Sequence, residues 1–180
     1  IITAVVPNNI TTAWDFVTVT SINRGISGTS LMKFVPIPQI YGFSPSTGVS
    51  GTQITLTGVG FSGITGVQFN NLNSGPLTVN SNSGLVVQVP SGNTFGYIKV
   101  FGQSGVKSLS LTQFTPLVNL TGLNPSTGIT GSNIELLGQN FFTELMYPAD
   151  IGNSHFIASI GGATGMYFRV NIGKLTGIVP

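Results

Sequence analysis

The chain has 180 residues, of which 6 are Lys or Arg, 4 are Asp or Glu and 1 is His, so 6% is charged and the net charge is +2. Six cations spread from Arg24 to Lys174 make no basic stripe, which excludes a nucleic-acid partner. A mean hydropathy of +0.39 excludes disorder, and the lack of cysteine excludes a disulfide scaffold or a thiolate zinc site. Ser, Thr, Asn and Gln total 61, so uncharged polar groups carry the solubility that charge usually supplies.

In chain order, the first predicted element is an alternating run in which Val17 and Val19 face inward and Phe16, Thr18 and Thr20 face outward, with Trp14 on the outer side. Residues 36–61 follow as PIPQIYGFSPSTGVSGTQITLTGVGF. Pro45 fixes φ for a turn, Gly48 is suited to a positive φ, Gly51 and Gly58 fit tight bends, and Phe61 plugs the end of the core. Strands are then predicted at Gln53 to Thr57, Gly66 to Asn70, Leu77 to Asn80, Leu85 to Val89, Tyr97 to Phe101 and Ser108 to Phe114. In the fifth, Ile98 and Val100 match Val17 and Val19, so Tyr97, Lys99 and Phe101 take the outer face with Phe95 beside them.

Residues 116–141, PLVNLTGLNPSTGITGSNIELLGQNF, repeat residues 36–61 at an offset of 80 with 11 identities in 26 positions. Pro125, Gly128, Gly131, Gly138 and Phe141 therefore take the roles of Pro45, Gly48, Gly51, Gly58 and Phe61. Residues 1–36 also resemble 84–116. The expected organisation is the back part of one unit at 1–35, a complete unit at 36–115, and the front of a third at 116–180 carrying a ten-residue insertion around 143–154. The fold class is all-β: tandem immunoglobulin-like antiparallel β-sandwiches.

The pattern P-S-T-G-x-x-G-x-x-I-x-L-x-G-x-x-F, followed by an apolar strand ending at Val87 to Pro90, resembles the IPT/TIG domain. The resemblance implies an immunoglobulin-like sandwich of the kind found in receptors, transcription factors, and microbial surface or phage virion proteins. With no basic loops and no disulfides, the microbial surface and virion settings remain.

Catalysis is not expected. The single histidine, His155, has only Ser154 beside it, and the two point to opposite faces of a strand. Glu144 and Asp150 are oxygen donors for a divalent cation, but two carboxylates make no cage, and a solvated loop is the expected reading. No cofactor is expected. The outer aromatics Trp14, Phe16, Phe95, Tyr97 and Phe101 suggest a contact surface, a packed sheet edge, or a sugar-stacking platform.

The two partial units are complementary, so residues 8–35 of one molecule suit the strands missing after Pro180 of another. The expected role is a structural module of an extracellular fibre, on a cell surface or a virion, with itself or neighbouring fibre subunits as partner. The alternative is an adhesin or carbohydrate-binding module that takes surface glycans. No run of about 20 apolar residues predicts a membrane span.

Overall fold

The computed structural model describes residues 1–7, 14–92, 95–140, 156–160, 163–171 and 174–178. Its first elements, β1 (Asp15–Thr20) and β2 (Ser27–Phe34), form an antiparallel hairpin that makes a two-stranded sheet of its own.

The sandwich that follows begins with β3 (Gln39–Ser44). After the cis Ser44–Pro45 bond the chain crosses to the other sheet as β4 (Thr47–Gly48), pairing in parallel with β11 (Lys107–Pro116). Between them run β5 (Gln53–Val59), β6 (Ile64–Phe69), β7 (Leu72–Asn73), β8 (Leu77–Ser81), β9 (Gly84–Gln88) and β10 (Gly96–Gly102). One sheet has the order β3-β5-β9-β8 and the other β4-β11-β10-β6-β7. Each predicted strand of this unit is present, with ends shifted by a few residues.

The period of two dictates the core. Ile54 and Leu56 on β5, and Leu85 and Val87 on β9, point in from one sheet; Val67 and Phe69 on β6, Ile98 and Val100 on β10, and Phe114 on β11 point in from the other. Phe69 meets Phe114 edge-on at 5.2 Å between ring centroids. Phe61 is fully buried in the same cluster.

The glycines differ from expectation in an instructive way. Gly51 and Gly131 do take positive φ, at 84° and 87°, where other residues are strained. Gly48 and Gly58 do not. Gly48 is a β4 residue whose added Cβ would come within 2.8 Å of the Thr52 side chain, and Gly128 would meet Ser132 at 3.1 Å. Gly58 is no bend either: it lies inside β5, and a Cβ there would fall on the Gln39 carbonyl oxygen and the Phe61 ring. Gly138 likewise lies inside a strand, β13 (Asn133–Gln139), rather than at a bend. Close contact, with the Thr52 side chain at 48 and with the Gln39 carbonyl and Phe61 ring at 58, disfavours any side chain there, and turn geometry does not enter.

Beyond the sandwich, β12 (Asn119–Asn124), β13, β14 (Phe156–Ile160), β15 (Ala163–Asn171) and β16 (Lys174–Ile178) make a five-stranded sheet of order β12-β13-β16-β15-β14. The β12–β13 ladder copies β3–β5 pair for pair. Gln39↔Val59 becomes Asn119↔Gln139, the irregularity between Ile40 and Gly42 becomes one between Leu120 and Gly122, and Asn124–Pro125 is cis like Ser44–Pro45. β13 also pairs with β16 as β5 does with β9, Leu136↔Leu175 answering Leu56↔Leu85. Phe141, Glu144, Asp150 and His155 lie outside the described residues.

Candidate functional site

The aromatic face depends on one irregularity in β10. Pairing with β11 shifts between Tyr97 and Lys99, and the bulge leaves the Ile98 N–H without a ladder carbonyl. The buried Ser110 hydroxyl repairs this. Its Oγ accepts from Ile98 N at 3.0 Å and donates to the Thr112 carbonyl at 2.6 Å. With the bulge fixed, Ile98 and Val100 stay in the core, and Tyr97, Lys99 and Phe101 line the outer side.

The β1–β2 hairpin carries the same device. Its register shifts between Phe16 and Thr18, and Ser30 Oγ accepts from Val17 N at 2.9 Å while donating to the Met32 carbonyl at 2.6 Å. Here, however, the expected inward residues Val17 and Val19 are about half exposed, at 50% and 48%, whereas Ile98 and Val100 are at 0%. The reason is plain: among the described residues no second sheet covers this hairpin.

Trp14 and Phe16 both stand exposed, but they are not free platforms. Lys33, cross-strand from Phe16, places its ammonium 3.1 Å from the Trp14 ring centroid and 5.0 Å from that of Phe16. The cation occupies the negative face of the indole. Phe95 is half-buried just before β10, and Tyr97 is exposed at 43%.

Phe101 sits differently. It pairs across the ladder with Gly66 and borders an open groove of about 470 Å³ whose lining also includes Thr65, Gln68, Asn73 and Gln103. Lys99 Nζ lies 5.9 Å from the Phe101 centroid. Gln68 Nε2 donates to Asn73 Oδ1 at 2.9 Å, which holds the two amides side by side. The groove lining carries amides, a hydroxyl and one aromatic ring, and no ionisable group. Of the groove's lining, the sequence singled out Phe101 and not Gly66, Gln68, Asn73 or Gln103. The available signal was a glycine within a strand, opposite an aromatic residue.

No cluster of His, Asp or Glu suited to a metal ion occurs among the described residues. No helix among them is long and apolar enough to cross a membrane.

The sandwich defines an immunoglobulin-like class. Residues 38–116 match the family model of the IPT/TIG domain. No curated protein matches the chain. Among solved structures, it is similar to an auxiliary nutrient binding protein from Bacteroides thetaiotaomicron, with 23% identity and a TM-score of 0.43 over 49% of this chain and 22% of that one. It is similar also to SGBP-B from a complex xyloglucan utilization locus in Bacteroides uniformis, with 20% identity and a TM-score of 0.38 over 81% of this chain and 43% of that one. A third similarity is to the plexin A4 extracellular region, with 17% identity and a TM-score of 0.39 over 44% of this chain and 10% of that one. The chain spans less than half the length of each.

Proposed function

We propose that the chain is a non-enzymatic module of an extracellular surface that takes neutral glycan on the outer face of the β4-β11-β10-β6-β7 sheet. The observation that carries this reading is the uncharged groove beside Phe101, where an aromatic ring and paired amides stand together in the open. Sugar rings present C–H faces that stack on aromatic side chains, and hydroxyls that exchange hydrogen bonds with amides. The lining itself carries no charge, and the Lys99 ammonium, 5.9 Å from the Phe101 centroid, stays at the groove's border, so a neutral ligand binds without burying an ion pair. The test is isothermal titration of the full chain with soluble neutral polysaccharides, comparing wild type with Phe101→Ala. Binding that weakens about tenfold in the variant, a loss of about 1.4 kcal/mol, supports the reading. Absence of binding by the wild type, or equal binding by both, rejects it.

A second reading has its own observation. The inner face of β1–β2, with Val17, Val19 and Phe34 exposed, is an uncovered copy of a face that is buried in the complete sandwich. It favours a structural module of a microbial surface or virion fibre, organised as partial, complete and partial units, with strand complementation between copies as the link. Sedimentation of the full chain across concentrations tests it: self-association supports the fibre role, and a monomer at every concentration rejects it.

A further inference from the structure

Four glycines of the complete sandwich's strands are fixed by close neighbours: an added Cβ at Gly48, Gly58, Gly96 or Gly102 would come within 3.0 Å of protein atoms. At Gly42 and Gly84 the nearest atoms stand at 3.7 and 3.6 Å, an ordinary contact, and at Gly66 nothing lies within 4 Å of the Cβ position and φ is not in the left-handed region. Gly66 stands at the irregularity of the β6–β10 ladder, where Phe101 pairs with Gly66 and Gly102 with Ile64. A strand glycine forfeits side-chain packing and costs backbone entropy, and it marks a bulge or a place where something outside the chain approaches the backbone; at Gly66 the space over the bulge is open to such an approach.

The surroundings say what approaches. Gly66 faces outward with Gln68, because the alternate residues Val67 and Phe69 are buried on the other side of the sheet. Phe101 is its direct cross-strand partner, yet the ring does not cover it, since no Phe101 atom falls within 4 Å of the Cβ position. A flat floor of bare backbone therefore adjoins an aromatic wall. Two residues along β6, the Gln68 amide is joined to that of Asn73 on the neighbouring β7 by a 2.9 Å hydrogen bond. That bond uses one donor and one acceptor and leaves Gln68 Oε1 to accept and Asn73 Nδ2 to donate. Adjacent hydroxyls on a sugar ring match such an acceptor and donor pair.

We infer that Gly66 is the seat of a pyranose ring, one unit of a neutral polysaccharide chain, which lies on the β6 backbone against Phe101 with neighbouring hydroxyls on Gln68 and Asn73. The inference rests on the glycan reading above and deepens it by fixing the residue on which the ligand sits. The groove is open to solvent, so a chain passes through it rather than ending in it.

Gly66→Val tests this seat. The substitution puts a β-branched side chain into empty space, so the variant retains or raises its melting temperature while it fills the groove. The probes are neutral oligosaccharides of glucan, xylan, mannan and galactan type, titrated into the full chain. We expect binding to at least one, a tenfold or greater loss in Gly66→Val with no loss in melting temperature, and a smaller loss in Gln68→Ala. Wild-type affinity in Gly66→Val overturns the seat, while a loss in Phe101→Ala in the same series leaves the glycan reading standing. If Gly66→Val melts lower than wild type, Gly66→Ala replaces it: unchanged affinity in a stable Gly66→Ala together with unchanged affinity in Gln68→Ala overturns the seat. Failure of wild type to bind any probe overturns both.

Discussion

Ser110 and Ser30 make the same pair of hydrogen bonds, and their surroundings assign them different weights. Ser110 is 4% exposed, and its loss strands the buried Ile98 N–H. Ser110→Ala is expected to cost about 1 to 3 kcal/mol, the desolvation penalty of an unpaired buried donor. At Ser30 the Val17 N–H can turn to water, and Ser30→Ala is expected to stay within about 0.5 kcal/mol. Urea unfolding of the two variants checks the contrast. Gly58→Ala belongs at the same scale. Its Cβ has no room between Gln39 and Phe61, so a loss of about 3 kcal/mol is expected, at the upper end of the cost of overpacking, read by the same denaturation curves. The reason these glycines matter was not legible beforehand. The spacing of Gly48, Gly51 and Gly58 marks them as constrained, but only the approach of Thr52 and Gln39 separates a close contact from a turn.

At the scale of elements, the hairpin β1–β2 and its counterpart β10–β11 differ in what covers them, and stability should follow. An isolated two-stranded ribbon is marginal in water, whereas β10 sits inside a five-stranded sheet over a packed core. Amides of β1 are expected to exchange with deuterium faster than the matching amides of β10 by several orders of magnitude, and equal protection would mean that β1–β2 has acquired a cover in solution. Trp14, the single tryptophan, reports the hairpin directly. Removing the cation in Lys33→Met should change its emission and weaken the hairpin by about 0.5 to 1 kcal/mol, the worth of an exposed cation–π contact. Strands with a sustained period of two, such as Gln53–Val59, were legible from alternation alone. Thr47–Gly48 was not, because two residues carry no period and their parallel pairing with β11 is a contact distant in sequence. The contact of Lys33 with Trp14 was equally hidden, since it depends on the cross-strand register.

For the whole molecule, scarce charge matters most if faces are to be buried between copies, where each unpaired ion would be costly. On the proposed fibre reading, the open β1–β2 face would accept a sheet with the pairing of β3, β5 and β9, which β12, β13 and β16 reproduce. Leu136, the counterpart of the fully buried Leu56, is partly exposed, and Leu120 is 58% exposed where Ile40 is 4%. A contact between the hairpin of one copy and this sheet of the next would be heterologous, so repetition gives an open chain rather than a closed dimer. That geometry has a distinctive signature on mixing. Val19→Asp disables the hairpin face and Leu136→Asp the sheet face, so, on the fibre reading proposed above, wild type should polymerise and each variant alone should sediment as a monomer at the same concentrations. Mixed in equal amounts, they retain one good face each and should form dimers and nothing larger. Polymers in either single variant, or no dimer in the mixture, would rule out this head-to-tail link.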